Sequence, residues 1–306
     1  AGAEFYLQRI NTKVFSNPQI IQRNIVAMAG HLRARGYPHA ALQIRPALDG
    51  RLFVWSGQSA WRMFEAIEDA CVFDKVQSAD QACEAGRFVG EFHSYAGDIS
   101  PEAIHPALPD FLRFRDRIGA FKAGLSRAES ARASQAQTLI AYAFQWIHLP
   151  ERFIRWQERG AMPRRLIHAD PKIGNLLFDA HTTKPKALID WDTLMPGPCL
   201  YDFGDMARSY CNLSEEDYAG PEPVFSGQIY RALEEGYLHS THSWLNPLER
   251  KNLRYAAAVV IYIQFLRFLS DYLLGDMYYR VADTEQNRRR AANQMRLLEG
   301  LLAFGL

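Results

Sequence analysis

The amino-acid sequence predicts an α+β protein in which a small, strand-rich N-terminal part precedes a larger, mainly helical part. Short apolar runs and an Asp49-Gly50 turn come before Asp80, whereas apolar residues at three- and four-residue intervals dominate after it. Of the 306 residues, 48% are hydrophobic and 23% are charged, which is ordinary for a globular chain and excludes a disordered or fibrous one. We expect two domains, residues 1–70 and 71–306, joined near residues 65–72.

The N-terminal part is expected to form a small antiparallel sheet with one helix. Residues Phe5–Ile10 (FYLQRI) are aromatic and aliphatic, which favours a strand. Asn17 and Pro18 then begin a helical pattern that Gly36 ends. Three further apolar runs are predicted as strands, at residues 41–45, 52–55 and 60–67.

The rest of the chain is predicted to be mainly helical. Helical periodicity covers residues 82–95, 130–148, 151–159, 227–239 and 246–274. Two short apolar runs, at residues 166–167 and 187–189, are expected to be small strands that present polar loops. The most apolar stretch, 256–266, lies between Arg254 and Arg267 and is shorter than the roughly 20 residues of a membrane span. We therefore expect a buried core helix there.

Charge and cysteine content limit the expected binding partners and the expected cellular compartment. The 35 Lys and Arg balance 34 Asp and Glu, so no global field draws the chain to nucleic acid or to a membrane. The cysteines form neither a CxxC pair nor a disulfide framework, which favours a reducing cytoplasm and gives a zinc site little support. They are Cys71, Cys83, Cys199 and Cys211.

The most informative segment is 166–179 (LIHADPKIGNLLFD), followed by 187–192 (ALIDWD). Phosphoryl transfer from ATP needs a carboxylate to deprotonate the attacking hydroxyl, oxygen ligands for Mg²⁺ and a cation for the moving phosphoryl group. Asp170 suits the base, Asn175 and Asp190 the metal, and Lys172 the cation. Each residue alone would more often be a turn or capping residue, but their combined spacing favours one catalytic crevice.

Two other aspartates are open to simpler interpretations. Asp192 could be a carboxylate linked to the metal, or could cap the turn that follows it. Asp202, in YDFGD, is expected to cap the N-terminus of a helix over residues 206–211, which is a structural role.

The order His168, Asp170, Asn175 and then Asp190 resembles the catalytic loop and metal-binding Asp of protein kinases. With IDWD in place of DFG, nearly the whole chain resembles the aminoglycoside phosphotransferase and choline kinase superfamily. The resemblance implies a bilobal protein-kinase-like fold, with ATP and Mg²⁺ as cofactors. It also implies that His168 props the catalytic loop and that an Asp placed like Asp202 braces it.

Other segments resemble the N-acetylhexosamine 1-kinase branch of that superfamily. They are residues 7–11 (LQRIN), 14–18 (VFSNP), 192–197 (DTLMPG), 201–205 (YDFGD) and 267–278 (RFLSDYLLGDMY). This resemblance implies that Arg267 and Tyr278 contact the sugar. The alternative for Arg267 is a buried structural ion pair with Asp271, because a guanidinium inside an apolar helix needs a polar partner.

The predicted nucleotide side is less regular. Arg9 occupies the place of the strand lysine that holds ATP phosphates, and Lys13 competes with it. The helix after Pro18 contains no acidic partner for such a cation, so Gln22 is the candidate partner.

The hinge and the phosphate loop complete the nucleotide side. The backbone of Glu65, Ala66 and Ile67 sits where the superfamily's hinge meets adenine. No glycine-rich loop precedes Phe5, and we expect one upstream, since the sequence does not begin with Met.

Together these features predict a kinase dependent on ATP and Mg²⁺ that acts on a small-molecule hydroxyl, with a sugar or N-acetylhexosamine as the leading acceptor. A choline, ethanolamine, homoserine or aminoglycoside kinase is the alternative within the same class. A silent nucleotide- or metabolite-binding module is the alternative outside it. No nucleic-acid or membrane partner is expected.

Overall fold

The computed structural model describes residues 4–305 and contains eight strands within that range. The strands are β1 Phe5–Ile10, β2 Val54–Ser56, β3 Ser59–Glu65, β4 Ala70–Cys71, β5 Arg165–Ile167, β6 Leu176–Asp179, β7 Pro185–Leu188 and β8 Met195–Gly197. The helices are α1 Pro18–Ala34, α2 Ala79–Ala96, α3 Phe114–Arg127, α4 Ser130–Gln135, α5 Gln137–Gln145, α6 Glu151–Glu158, α7 Cys199–Tyr210, α8 Gly227–Thr241, α9 Pro247–Lys251, α10 Leu253–Leu273 and α11 Gln286–Ala303.

The N-terminal sheet is antiparallel with the order β1-β3-β2. Along β3 the side chains alternate between a buried face, which includes Arg62 and Phe64, and a more exposed one. The helix α1 begins at Pro18 and buries one face of apolar residues at three- and four-residue spacing. It ends before Gly36, whose φ of 66° suits glycine. The predicted strand, turn and helix are confirmed here.

The predicted strand at 41–45 is wrong. Only Ile44 forms an isolated bridge, to Phe64, and two backbone hydrogen bonds tie the neighbouring residues to β3. Pro46 follows directly and has no N–H to donate, so the pairing does not extend.

Backbone pairing changes partner between β3 and β4. The two-residue strand β4 pairs with β6, and β6 pairs with β7, so a second small sheet has the order β4-β6-β7. A third pair joins β5 to β8. The N-terminal sheet therefore ends at Glu65, close to the predicted joint, and the later sheets frame the loops that carry the predicted site.

Two of the predicted helices are each divided into two helices in the structure. The pattern at 130–148 divides into α4 and α5 at Ala136, and the pattern at 246–274 divides into α9 and α10 at Asn252. Within residues 4–305, α10 is the one helix that is long and apolar enough to cross a membrane, yet 89% of its apolar window is buried inside the protein. It packs against α3, α7 and α11, as expected for a core helix.

Candidate active site

The loop after β5 is held from below by a buried histidine. His168 is inaccessible to solvent; its Nε2 donates to the Ile189 carbonyl at 2.8 Å, and its Nδ1 accepts from the Asp170 backbone N–H at 3.2 Å. One imidazole therefore fixes both the loop that carries Asp170 and the segment that leads to Asp190.

Asp202 braces the same loop. Its buried carboxylate accepts from the backbone N–H of His168 at 2.7 Å and of Ala169 at 2.8 Å, and it contacts His93 Nε2 at 2.9 Å. The expectation that Asp202 caps a helix at 206–211 is wrong, because α7 already begins at Cys199 and Asp202 lies within its first turn. The bonds to Asp202 hold Ala169 in a left-handed conformation, with φ at 68°.

Asp170 lies at the centre of a polar cluster. Its Oδ2 accepts from Lys172 Nζ at 3.0 Å and from Asn175 Nδ2 at 3.1 Å, while the same Nδ2 also donates to the Asp170 carbonyl at 2.8 Å. The side chain of Asp170 is 29% exposed, so a ligand can reach the carboxylate. Burial opposes the charge of Lys172, but the nearby Asp170, Asp190 and Asp205 carboxylates outweigh it and raise the pKa of its ammonium group.

The charged form of the Asp190 carboxylate is disfavoured by its surroundings. Burial, followed by the neighbouring charge of Asp192, raises its pKa, and Asp170 adds to the effect while His168 opposes it. Its backbone is left-handed, with φ at 61° and ψ at 57°. A cation beside Asp190 would relieve this crowding.

The donor set suits Mg²⁺ held jointly with a phosphate-bearing ligand. Asn175 uses its Nδ2 on Asp170, and its Oδ1 accepts no hydrogen bond from residues 4–305. Across that range, no group of three or more His, Cys, Asp or Glu residues forms a complete metal cage. Mg²⁺ commonly binds through one or two protein oxygens plus substrate phosphates, and Asn175 with Asp190 fits that pattern.

A cavity of about 410 Å³ joins the catalytic loop to the C-terminal end of α10. It brings together four predicted site residues: Asp170, Lys172, Arg267 and Tyr278. A second cavity of similar volume, between α3, α6 and β8, contains none of the predicted site residues.

Arg267 is not in the structural ion pair with Asp271 that the sequence left open. Its Nη1 donates to Gln264 Oε1 at 2.9 Å, and its guanidinium lies 5.4–5.9 Å from the ring centres of Phe111, Tyr278 and Tyr279. The Asp271 carboxylate instead accepts from the backbone N–H groups of Tyr278 and Tyr279 and from Asn287. Within residues 4–305, no carboxylate oxygen lies within 4.0 Å of the Arg267 nitrogens.

Among the cavity residues that the sequence did not predict are Asp205 and Arg208. Asp205 Oδ1 accepts from Arg208 Nε at 2.7 Å, and both side chains line the cavity that contains Asp170. Burial raises the pKa of Asp205 although Arg208 opposes the shift. The signal was available in residues 201–208 (YDFGDMAR), where a three-residue spacing puts both side chains on one face of α7.

The nucleotide side departs from the prediction. Gln8 points toward Arg62, so Arg9, the next residue along β1, points to the opposite face and is exposed. The structure therefore does not bring Arg9 to the Asp170 cleft. Lys13 is exposed on the following loop. Gln22 is wholly buried, and neither its Nε2 nor its Oε1 has a hydrogen-bond partner within residues 4–305, so it does not pair with a strand cation.

Two of the three predicted hinge N–H groups already donate hydrogen bonds within the protein. The N–H of Glu65 donates to the Gln43 carbonyl at 3.0 Å, and the N–H of Ala66 donates to the Glu4 carbonyl at 3.0 Å. Of the three hinge residues, Ile67 alone has an N–H without a hydrogen bond to the part of the chain that the structure describes.

The family follows from comparison with known proteins. The model of a phosphotransferase enzyme family, APH, matches residues 5–237. The chain belongs to this family and is a small-molecule phosphotransferase, a kinase of hydroxyl groups.

Solved structures share the fold at low sequence identity. An aminoglycoside phosphotransferase from Alicyclobacillus acidocaldarius matches with a TM-score of 0.63 and 14% identity, covering 99% of this chain and 87% of that one. A spectinomycin phosphotransferase in complex with ADP and spectinomycin matches with a TM-score of 0.63 and 13% identity, covering 99% and 86%. Choline kinase LicA from Streptococcus pneumoniae matches with a TM-score of 0.56 and 13% identity, covering 98% and 87% of that chain. These similarities establish the protein-kinase-like α+β fold.

Proposed function

We propose that this phosphotransferase uses ATP and Mg²⁺ to phosphorylate a hydroxyl group of a sugar, with an N-acetylhexosamine as the first candidate. The observation that carries the proposal is the shared cavity, in which Asp170 lies together with Arg267 and Tyr278. A hydroxyl donor in this cavity can reach the base while its other oxygens meet a guanidinium and an aromatic wall.

The predicted residues around Asp170 each have a chemical task in this proposal. Asp170 accepts the proton of the attacking hydroxyl, and Lys172 balances negative charge beside it. Asn175 and Asp190 hold Mg²⁺, which when bound neutralises charge on the transferred phosphoryl group. His168 and Asp202 keep the loop in place. The Ile67 backbone is the hinge group that can meet adenine.

The wall around Arg267 favours an oxygen-rich acceptor over a cationic one. Asp170, Asp205 and Glu216 also line the cavity, but no carboxylate oxygen lies within 4.0 Å of the Arg267 nitrogens. Such a guanidinium repels a quaternary ammonium and donates readily to hydroxyl or acyl oxygens. Tyr278 is 61% exposed at the rim and presents a ring face on which a sugar can stack. We place the enzyme in the cytoplasm, where ATP and Mg²⁺ are available to it.

The test is ADP release from Mg²⁺ and ATP with a panel of sugars, N-acetylated sugars, choline, ethanolamine, homoserine and aminoglycosides. We expect the largest kcat/KM with an N-acetylhexosamine and at least a 1,000-fold loss in Asp170→Asn, whose thermal stability should stay close to that of the wild type. Preferred turnover of choline or an aminoglycoside would overturn the sugar assignment. No turnover of any acceptor would overturn the choice of acceptors altogether.

Arg267→Gln separates acceptor binding from nucleotide binding. Because the guanidinium lies at the acceptor end of the cavity, we expect the sugar KM to rise about 10- to 100-fold, the range of one lost charged hydrogen bond. The ATP KM should change less than twofold. Arg113→Gln, at a side chain that is 65% exposed, serves as the matched control and should leave both values unchanged. Equal increases in both KM values would contradict the placement of the sugar.

A further inference from the structure

Arg62 and Asp192 form an almost inaccessible ion pair between the N-terminal sheet and the loop that carries Asp190. Arg62 lies on β3 and is 2% exposed, and Asp192 lies in the turn after Asp190 and is 6% exposed. The distance from Arg62 Nη1 to Asp192 Oδ1 is 2.6 Å. The pair therefore joins the two parts of the protein beside the predicted metal ligand.

The guanidinium is fixed on its other sides by the sheet. Arg62 Nε and Nη2 both donate to Gln8 Oε1, at 2.9 Å and 2.8 Å, and the guanidinium carbon lies 4.8 Å from the centre of the Phe64 ring. Two paired strands, β1 and β3, thus hold one cation in a single orientation. A planar guanidinium can serve Gln8 and Asp192 at once, which an ammonium group cannot do with the same geometry.

The turn that carries Asp192 is also tied to the catalytic loop. Thr193 Oγ1 donates to the His168 carbonyl at 2.8 Å, and the turn packs against α1. Asp190 therefore lies between two attachments, one to the catalytic loop through Thr193 and one to the N-terminal sheet through Asp192.

Stability alone does not account for such a pair. Removing two charges from water costs several kcal/mol per ion, and apolar residues of similar volume often give equal or greater stability. A close contact between two buried charges, at a point two residues from the predicted metal ligand, instead fixes the distance between the two parts of the molecule. The role differs from the one predicted for Arg9, which was a direct contact with the ATP phosphates.

We propose that Arg62 is a positioning residue that acts through Asp192 to align Asp190, and with it the bound metal and nucleotide phosphates, against the N-terminal sheet. The proposal rests on the proposed phosphoryl transfer from ATP. It gives β3 a positioning cation, in addition to the direct phosphate contact that the sequence predicts for Arg9 on β1. Acceptor binding is not involved, because Arg62 does not line the cavity around Arg267.

The experiment compares four variants of the whole chain: Arg62→Met, Arg62→Lys, the double variant Arg62→Met/Asp192→Asn, and Arg9→Met, which tests the phosphate contact that the sequence predicts for Arg9. Two readouts are measured, the kinetic constants for ATP and acceptor and the rise in Tm on adding Mg²⁺ with ADP. The thermal readout does not depend on turnover, so it tests the pair even if every acceptor fails.

Arg62→Met should lower kcat/KM for ATP about 10- to 100-fold, leave the acceptor KM within twofold, and reduce the Tm rise caused by Mg²⁺ with ADP. Arg62→Lys should recover part of the loss. The double variant removes both buried charges, so it should regain Tm in the absence of ligand while its ATP kinetics stay impaired.

Two results would overturn the proposal. If the double variant regains ATP kinetics together with Tm, the pair has only a structural role. If Arg62→Met keeps the wild-type response to ATP and ADP while Arg9→Met loses it, Arg9 is the cation that serves the nucleotide, as the sequence predicts, and Arg62 is not a positioning residue.

Discussion

The loop that carries Asp170 is held by many buried hydrogen bonds, whereas the predicted nucleotide side of the cleft is held by few buried contacts. The side chains of His168 and Asp202 form buried hydrogen bonds with several backbone groups of the loop and of the segment before Asp190. The conformation of the loop is therefore fixed by several independent contacts. Across the cleft, the most deeply buried charged link from the N-terminal sheet to the loop that carries Asp190 in residues 4–305 is the pair Arg62 and Asp192. β1, meanwhile, is exposed along most of its length.

This difference teaches where rigidity is needed. In the proposed reaction Asp170 must meet the hydroxyl at hydrogen-bond distance, and a loop braced by buried groups needs little reorganisation to provide this. The proposed nucleotide would have to enter and leave, which fits an opposing sheet that is attached at fewer points. We therefore expect substitutions in the loop's supports to act on stability and those across the cleft to act on nucleotide response.

The largest effect is expected from Asp202→Ala, which breaks the braced side. The change leaves two backbone N–H groups and His93 without their buried acceptor, and we expect the free energy of unfolding to fall by about 3–5 kcal/mol. Urea denaturation measures it.

The control is Ser209→Ala, which removes a neutral hydroxyl that accepts from the Ile173 N–H at 3.3 Å. It should cost only about 1 kcal/mol. Equal losses in the two variants would show that the Asp202 brace is no stronger than an ordinary hydrogen bond.

An intermediate effect of opposite sign is expected from Asp190→Asn. The fold raises the pKa of Asp190, so its charge costs stability once the pH rises above the ordinary value of 3.8 and through the raised one. Removing the charge should raise Tm at pH 7 without metal by about 2–4 °C, and this gain should shrink as the pH falls toward 3.8. Phosphoryl transfer should be lost.

Asp283→Asn provides the matched comparison. Hydrogen bonds from Arg289 lower the pKa of this exposed carboxyl, so its replacement should not raise Tm at pH 7. A higher Tm in both variants, or in neither, would argue against the electrostatic crowding at Asp190.

The smallest effect is expected from Ala169→Gly. Because Ala169 is held at a φ of 68°, glycine should relieve backbone strain and stabilise the protein by about 0.5–1 kcal/mol. The same substitution at Ala207, inside α7, should destabilise it by about 1 kcal/mol. Denaturation curves of the two variants should shift in opposite directions; a shift of both to lower urea would remove the case for strain in the loop.

The sequence was most informative where the chemistry lies close together along the chain. The spacing from His168 to Asp190 spans one loop and the next, so it indicated a crevice without any knowledge of tertiary contacts. The helical periodicity and the buried nature of α10 also followed directly from residue order. The predicted strand at 41–45 is wrong because Pro46 has no backbone N–H to continue the pairing. The apolar residues before it do not show this.

The nucleotide side was harder because it depends on strand register. Gln8 and Arg9 point to opposite faces of β1, and a single-residue shift exchanges them. Only the pairing of Gln8 with Arg62 across the two strands reveals which face of β1 lies toward the loop that carries Asp190. Likewise, the acceptor wall around Arg208 and Arg267 is assembled from helices that are far apart in the chain.

Phosphorus NMR of the reaction itself tests the central claim most directly. With ATP, Mg²⁺ and N-acetylglucosamine, we predict a new sugar phosphate resonance that grows as the γ-phosphate signal declines, and no such resonance with Asp170→Asn under the same conditions. If the γ-phosphate signal declines only into inorganic phosphate, or if Asp170→Asn forms the sugar phosphate at the wild-type rate, the cavity around Asp170 and Arg267 is not the sugar-phosphorylating site.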